Sequence, residues 1–414
     1  MQESLPPSIH AMSNAHQSPK LNRRNFCSSL TGLAGFAAAP ALAILQAPGA
    51  QVGEASRKSV AAKVPRIACD IPRGWQRAGL IIQRSQGGPG SSVVGDPCVV
   101  RDDDIDGWRM FLFFDPPGCG HAVCPQGLDP GPGHWKLEGP LVFTNPQELM
   151  GGSTHKPYVV MDAHRPNHAA KIDGQYRLLT VSWQSGHKVV QQSSAEKLAG
   201  PWTVQPGPLI GHGAAGEFDA KHADAVTGFH FPERGEILYF YMGYPEQAQP
   251  RRVSPLGNAQ AVAVQRVGDA GVRKQGEVLP PCQTPGHWAS GWVGGLQILP
   301  GKTHRWIAII NASPTAPRHD ATEVFREEPP PSLGGFAFCD EEWPVRGWQW
   351  CPQPIEWIQD VPPQAVALGE GTNLWRQHVL ALPDGRLFLY YNSGFYGREQ
   401  LYAKIADGRS TKPR

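Results

Sequence analysis

The sequence predicts an all-β fold, a five-bladed β-propeller of four-stranded antiparallel sheets, and three observations carry that prediction. Glycine (47) and proline (41) make up about a fifth of the 414 residues, a turn-rich composition that favours short strands over long helices. A strand–turn–strand pattern recurs five times beyond residue 66. Further pairs of short strands follow several of these hairpins, so each unit supplies four strands, as a radial blade requires.

The first copy, "DPCVVRDDDIDGWRMFLFF" from residue 96, aligns with "KPYVVMDAHRPNHAAKIDGQYRLLTVSW" from 156. A proline, two valines and an aspartate coincide, and both copies reach Asp-Gly and an apolar strand. The third is "DAVTGFHFPERGEILYFYMGY" from 224, where Asp224 precedes Gly235 by the eleven positions that separate Asp96 from Gly107. "GGLQILPGKTHRWIAIIN" from 294 and "HVLALPDGRLFLYYNSG" from 378 are the fourth and fifth, each a β-hairpin pattern. The second strand pairs are legible in "KVVQQSSAEKLAGPWTV" (188–204), "AQAVAVQRVGD" (259–269) and "QLYAKIAD" (400–407). "AGLIIQRSQ" (78–86) is read as the strand that closes the ring against the last blade. The propeller is expected over 67–408, and the stretch 312–363, rich in Pro, Glu and Trp, as the outer part of blade four with long loops walling a cleft.

The N-terminus reads as an address. Arg23 and Arg24 precede Phe26 and an Ala-rich apolar run that ends in small residues, the twin-arginine export pattern. A signal peptide over 1–50, cleaved after Ala43 or Ala50, a linker over 51–66 and a flexible tail over 409–414 are the expected boundaries. The twin-arginine export machinery is then a partner, and the mature chain is expected in the periplasm or outside the cell. The apolar run is too short to span a bilayer stably, so no membrane span is expected after cleavage. With 38 basic and 36 acidic residues and a formal net charge of +2, the chain has no basic stripe, which argues against a nucleic-acid partner.

Seven of the eight cysteines lie beyond the signal. Cys119, His121 and Cys124 in "CGHAVC" are metal-ligand types, but no fourth ligand is evident, and a local disulfide or plain loop cysteines are the preferred readings. Cys339 and Cys351 are candidates for a second bridge. Asp102, Asp104, Asp106 and Gly107 match the first half of a calcium loop, yet position twelve is Phe113 and the flanks are strands, so "DDDIDG" reads as a charged hairpin turn.

The strand-head Asp-Pro of "GDPCVV", "KLAGPWT" after a strand pair, the aspartate before blade three and "PDGRLFLYYNSG" in the last blade resemble the five-bladed propeller glycoside hydrolases of the arabinanase, β-xylosidase and neoagarobiose-hydrolase type. The resemblance covers most of 75–408. It implies that the starts of the inner strands line a central channel and form a pocket for an oligosaccharide. Here those starts are Asp96, Lys156, Asp224, the segment 287–292 and Arg376 to His378.

By this resemblance Asp96 is the general base of an inverting enzyme, and Asp224 orients the sugar and raises the pKa of the acid. A capping residue in an Asp-Pro turn is the competing reading of Asp96. The family places an acid at the start of blade four, but "GHWASGWVGG" (286–295) has none, which leaves His287 or Glu217 as candidates. Lys156, Arg165 and Arg376 are the candidate holders of a substrate carboxylate or phosphate, with ion pairing to Asp162 or Asp224 as the structural alternative. Asp162 and His378 are further candidate substrate contacts. Trp288 and Trp292 offer faces on which a sugar stacks, or packing between blades. No cofactor is implied beyond a structural calcium in the channel. An exported glycoside hydrolase acting on a plant or algal oligosaccharide is therefore the first expectation, and a non-catalytic carbohydrate- or protein-binding propeller that has lost its acid is the alternative.

Overall fold

Each of the five repeated hairpins forms the two innermost strands of its own sheet. This follows from a computed structural model, which describes residues 72–407 apart from 73, 153, 248–256, 316–331, 356–360, 372–373 and 396. The export signal, the linker 51–66 and the tail 409–414 lie outside the described residues.

From the channel outward, blade one comprises Val93–Asp102, Gly107–Asp115, Gly118–Cys124 and Lys136–Pro140. Blade two comprises His155–Val159, Tyr176–Gln184, His187–Ala195 and Thr203–Val204. Blade three comprises His222–Phe231, Glu236–Tyr244, Ala259–Arg266 and Arg273–Leu279, with Met161–Asp162 added in parallel on its inner edge. Blade four comprises Trp292–Pro300, Trp306–Ser313, Leu333–Cys339 and Gln349–Pro354. In blade five, Leu374–Ala381, Arg386–Ser393 and Gln400–Asp407 are completed by Gln76–Ile82. The earliest strand thus closes the ring as the sequence suggested, leaving the first and last segments joined by a hydrogen-bonded ladder.

The sequence dictates which strands lie inside. Inner and second strands carry apolar side chains on both faces, as in Ile237 to Met242 and Trp306 to Ala312, because the neighbouring blades cover both. Outer strands alternate, as in Lys136–Pro140, because one face meets solvent.

Every inner strand is irregular near its start. The register skips between Gly95 and Cys98, His155 and Tyr158, Asp224 and Thr227, Val293 and Leu296, and Trp375 and Gln377. These are β-bulges, which re-aim side chains at the rim of a sheet. Four carry a side chain at positive φ: Asp96 (55°), Lys156 (51°), Ala225 (46°) and Arg376 (25°). Blade four places Gly294 and Gly295 there instead.

The register corrects the repeat alignment. Asp102 pairs with Gly107, and the corresponding pair in blade three is Phe231 with Glu236. Counting back, the counterpart of Asp96 is Ala225. Asp224 sits one place earlier, on the strand proper.

Adjacent blades are tied all the way round near the channel. The Asp96 N–H donates to Asn392 Oδ1 (3.3 Å), and the Val159 N–H to Cys98 Sγ (3.4 Å). Lys156 bonds Asp224, Thr227 Oγ1 donates to the Leu296 carbonyl (2.7 Å), and Gln297 both donates to and accepts from the backbone of Val379.

The cysteine bridges do not form: Cys98, Cys119, Cys124, Cys282, Cys339 and Cys351 are all free thiols. Cys119 and Cys124 lie on one strand five residues apart, about 17 Å at 3.3 Å per residue, far beyond disulfide reach. Ala337 pairs with Trp350 and Phe338 with Gln349, a register that carries Cys351 away from Cys339. The segment "DDDIDG" is a hairpin turn between two strands, as read.

Candidate active site

At the end of the channel where the inner strands begin, the bulges gather Asp96, Lys156 and Arg376, with Asp224 and Lys188 beside them. Asp96 is 7% exposed, and its carboxylate makes no hydrogen bond or ion pair among the described residues. Its backbone, not its side chain, is what the fold uses: the N–H goes to Asn392, and the amide side chain of Asn392 fills the space that a Cβ on Gly95 would need. A capping aspartate would spend its oxygens on backbone N–H groups, so the turn reading finds no support in this geometry. Aspartate tolerates a positive φ better than most residues, and such backbone outliers cluster at functional sites.

Asp224 is fully buried. Its Oδ1 lies 2.7 Å from Lys156 Nζ, and its Oδ2 lies 2.8 Å from Lys188 Nζ. Burial works against the charge, but the two ammonium groups outweigh it and hold the carboxyl well below the usual carboxylate range. With both oxygens taken and no surface exposed, Asp224 orients lysines rather than a sugar, which corrects its expected role. The lysines themselves keep about a quarter of their side-chain surface exposed, 23% and 25%. Lys188 also sits over the rings of Trp183 (5.5 Å) and Tyr244 (6.0 Å). Lys188, Trp183 and Tyr244 carry no repeat signal, and sequence reading missed them.

Arg376 is buried beside this cluster. Its Nη1 donates to the Lys156 carbonyl (3.2 Å) and its Nη2 to the Val226 carbonyl, both at bulges where the ladder is interrupted. Its guanidinium lies 5.7 Å from the Tyr158 ring, and Gly295 makes room for its stem, since a Cβ there would meet Arg376 Cγ at 3.2 Å. Only 5% exposed, Arg376 is a brace between blades five, two and three. His378 is wholly buried against Tyr158, and burial pushes its pKa down to about 3, so it is a neutral core residue.

Two half-buried tryptophans stack at the same end. Trp292 and Trp375 lie 5.6 Å apart at 9°, heading the inner strands of blades four and five. Trp288 instead packs on Gly335 and donates its indole N–H to the Cys351 carbonyl.

The other candidates fall elsewhere. Asp162 and Arg165 follow the inner strand of blade two and lie at the opposite end of the channel, because Lys156 stands near the first residue of that strand and they come after its last, Val159. There Asp162 Oδ1 accepts the N–H groups of His164 and Arg165. A narrow cavity at that end is lined by Asp162, Asn167, Phe229, Gln297 and Trp306. Neither acid candidate is free: His287 accepts the Ala289 N–H through Nδ1 and donates through Nε2 to the Cys351 carbonyl, and burial lowers its pKa. Glu217 is exposed and accepts the Ala214 N–H. Among the described residues, no group of three His, Cys, Asp or Glu side chains is placed to hold a metal ion, and no helix is long and apolar enough to cross a membrane.

One further carboxyl belongs to the site. Glu399 is 4% exposed at the head of the third strand of blade five, and its carbonyl accepts the N–H of Val94, two residues before Asp96. Nothing in "GFYGREQ" marks it, because its burial and its backbone tie to Val94 of blade one are tertiary.

The architecture is a five-bladed β-propeller, and solved structures described as glycoside hydrolases share it. A solved structure described as a glycoside hydrolase superposes with a TM-score of 0.57 at 12% identity, covering 82% of this chain and 94% of that one. A glycosyl hydrolase from Bacteroides ovatus gives 0.53 at 13% identity over 82% and 95%. A third, described with the GH130 family of mannoside phosphorylases, which contains glycoside hydrolases that target β-1,2 mannosidic linkages in Candida mannan, gives 0.54 at 15% identity over 82% and 96%. No family model and no curated protein matches the chain. At these identities the likeness defines the fold.

Proposed function

We propose that the chain is an exported glycoside hydrolase of the inverting type, acting on a plant or algal oligosaccharide at the strand-start end of the channel. The observation that carries this reading is the unpartnered carboxylate of Asp96, held at a strained bulge where the inner strands converge. A carboxylate so placed takes a proton from water as the water oxygen bonds to the anomeric carbon, and its charge favours the oxocarbenium-like transition state. Lys156 and Lys188 donate to hydroxyl or carboxylate oxygens of the sugar, and Trp292 with Trp375 offers an apolar face for its ring. The propeller likeness to glycoside hydrolases supports the same class of reaction by analogy of fold. The Arg23-Arg24 pair supports export.

The test is a screen of the mature protein against aryl glycosides and plant and algal oligosaccharides, with the anomer of the first product read by proton NMR. Turnover with inversion is expected. Retention would contradict the mechanism, and no turnover on any glycoside would contradict the reading as a whole.

A further inference from the structure

We propose that Glu399 is the proton donor of this site, delivering its proton to the glycosidic oxygen while Asp96 takes one from the attacking water. This rests on the hydrolase reading above and fills the role that blade four leaves empty.

Three observations place it. The register of blade five pairs Trp375 with Asn392 and Ser393 with Gln400, so Trp375, Asn392 and Glu399 stand at the same end of one sheet. Asn392 Oδ1 accepts the Asp96 N–H, and the Glu399 carbonyl accepts the Val94 N–H (3.1 Å), which sews this end of blade five to the strand that carries Asp96. Lastly, Glu399 Oε2 is buried without a hydrogen-bond partner among the described residues. An unsatisfied buried carboxyl oxygen is costly to keep. Beside a second carboxyl at a channel mouth, it is the atom a ligand oxygen would satisfy.

The electrostatics agree with that geometry. Burial is the main influence and pushes the Glu399 carboxyl up to about 7; the backbone N–H groups of residues 397–399 oppose it, and the charge of Asp96 adds to it. Around it, Arg84 is engaged with the Arg398 carbonyl (2.7 Å). A buried carboxyl that keeps its proton can serve as the acid of a two-carboxyl site. In the step, the bond from the anomeric carbon to the leaving oxygen breaks as the bond to water oxygen forms. One proton passes from Glu399 to the leaving oxygen, and one from water to Asp96, after which exchange with solvent restores both groups.

The experiment compares wild type with Glu399→Gln on dinitrophenyl glycosides, whose leaving group needs no proton, and on alkyl-linked oligosaccharides, which do. The variant is expected to lose about a hundredfold to ten-thousandfold in kcat/KM on the alkyl-linked substrate and to stay within about tenfold on the dinitrophenyl one, with the basic limb of the pH profile gone. Equal loss on both substrates, or an unchanged basic limb, overturns the role of Glu399 alone. Wild-type inactivity on every glycoside overturns the hydrolase reading and this role together. Should Glu399→Gln fail to fold, carbon-13 NMR titration of glutamate carboxyls in wild type and Asp96→Asn decides. A midpoint near 7 that drops in the variant supports the proposal, and one in the ordinary glutamate range, about 4.3, overturns it.

Discussion

The single carboxylate of Asp224 holds Lys156 at 2.7 Å and Lys188 at 2.8 Å, joining two strands of blade two to the inner strand of blade three. Replacing Asp224 by Asn leaves two ammonium groups without their counter-charge, and breaking such a buried pair costs about 3 kcal/mol or more. Because the folded pKa lies below the unfolded one, about 3.9, this stabilisation is full above about pH 5 and is lost as the pH falls through the acid range. Denaturant midpoints are therefore expected to separate wild type from Asp224→Asn widely at pH 7, with the gap narrowing progressively as the pH falls below about 4. A gap that stays constant with pH would show that the pair is not what Asp224 contributes.

Arg376→Lys tests the brace. A lysine ammonium cannot present two parallel donors to the carbonyls of Lys156 and Val226, so at least one buried acceptor is left unsatisfied. A loss of about 1–3 kcal/mol in unfolding free energy is expected, read by urea titration. An unchanged midpoint would remove the bracing role and return Arg376 to the list of substrate contacts.

Most of the architecture was legible because it depends on local pattern. Alternating or continuous apolar runs separated by Gly- and Asp-containing turns gave all five inner hairpins and the closing strand. What local pattern could not give was the register. Asp224 was aligned with Asp96 because Gly235 was matched to Gly107, whereas the register matches Glu236 to Gly107 and makes Ala225 the counterpart of Asp96. Asp162 and Arg165 were misplaced because the strand that begins at Lys156 ends at Val159 and carries the chain to the far end of the channel before they are reached. Glu399 was invisible because its burial is tertiary and its carbonyl is bonded to Val94 of a neighbouring blade, about three hundred residues away in the chain.

The export reading makes its own prediction. Exchanging Arg23 and Arg24 for Lys is expected to leave the full-length precursor in the cytoplasm, since the export receptor reads the arginine pair. Cell fractionation and immunoblotting check this, and normal accumulation of the double variant outside the cytoplasm would contradict it.

Asp96→Asn bears most directly on the central claim. Asparagine keeps the size of the side chain, tolerates the positive φ of this bulge and leaves the backbone bond to Asn392 in place, while removing the group that accepts a proton. Turnover on whichever glycoside the wild type cleaves, and thermal melting of the same preparation, are measured together. A fall of about a hundredfold to ten-thousandfold in kcat is expected, with the melting temperature unchanged or slightly raised. A fully active variant, or one inactive only because it is unfolded, would contradict it.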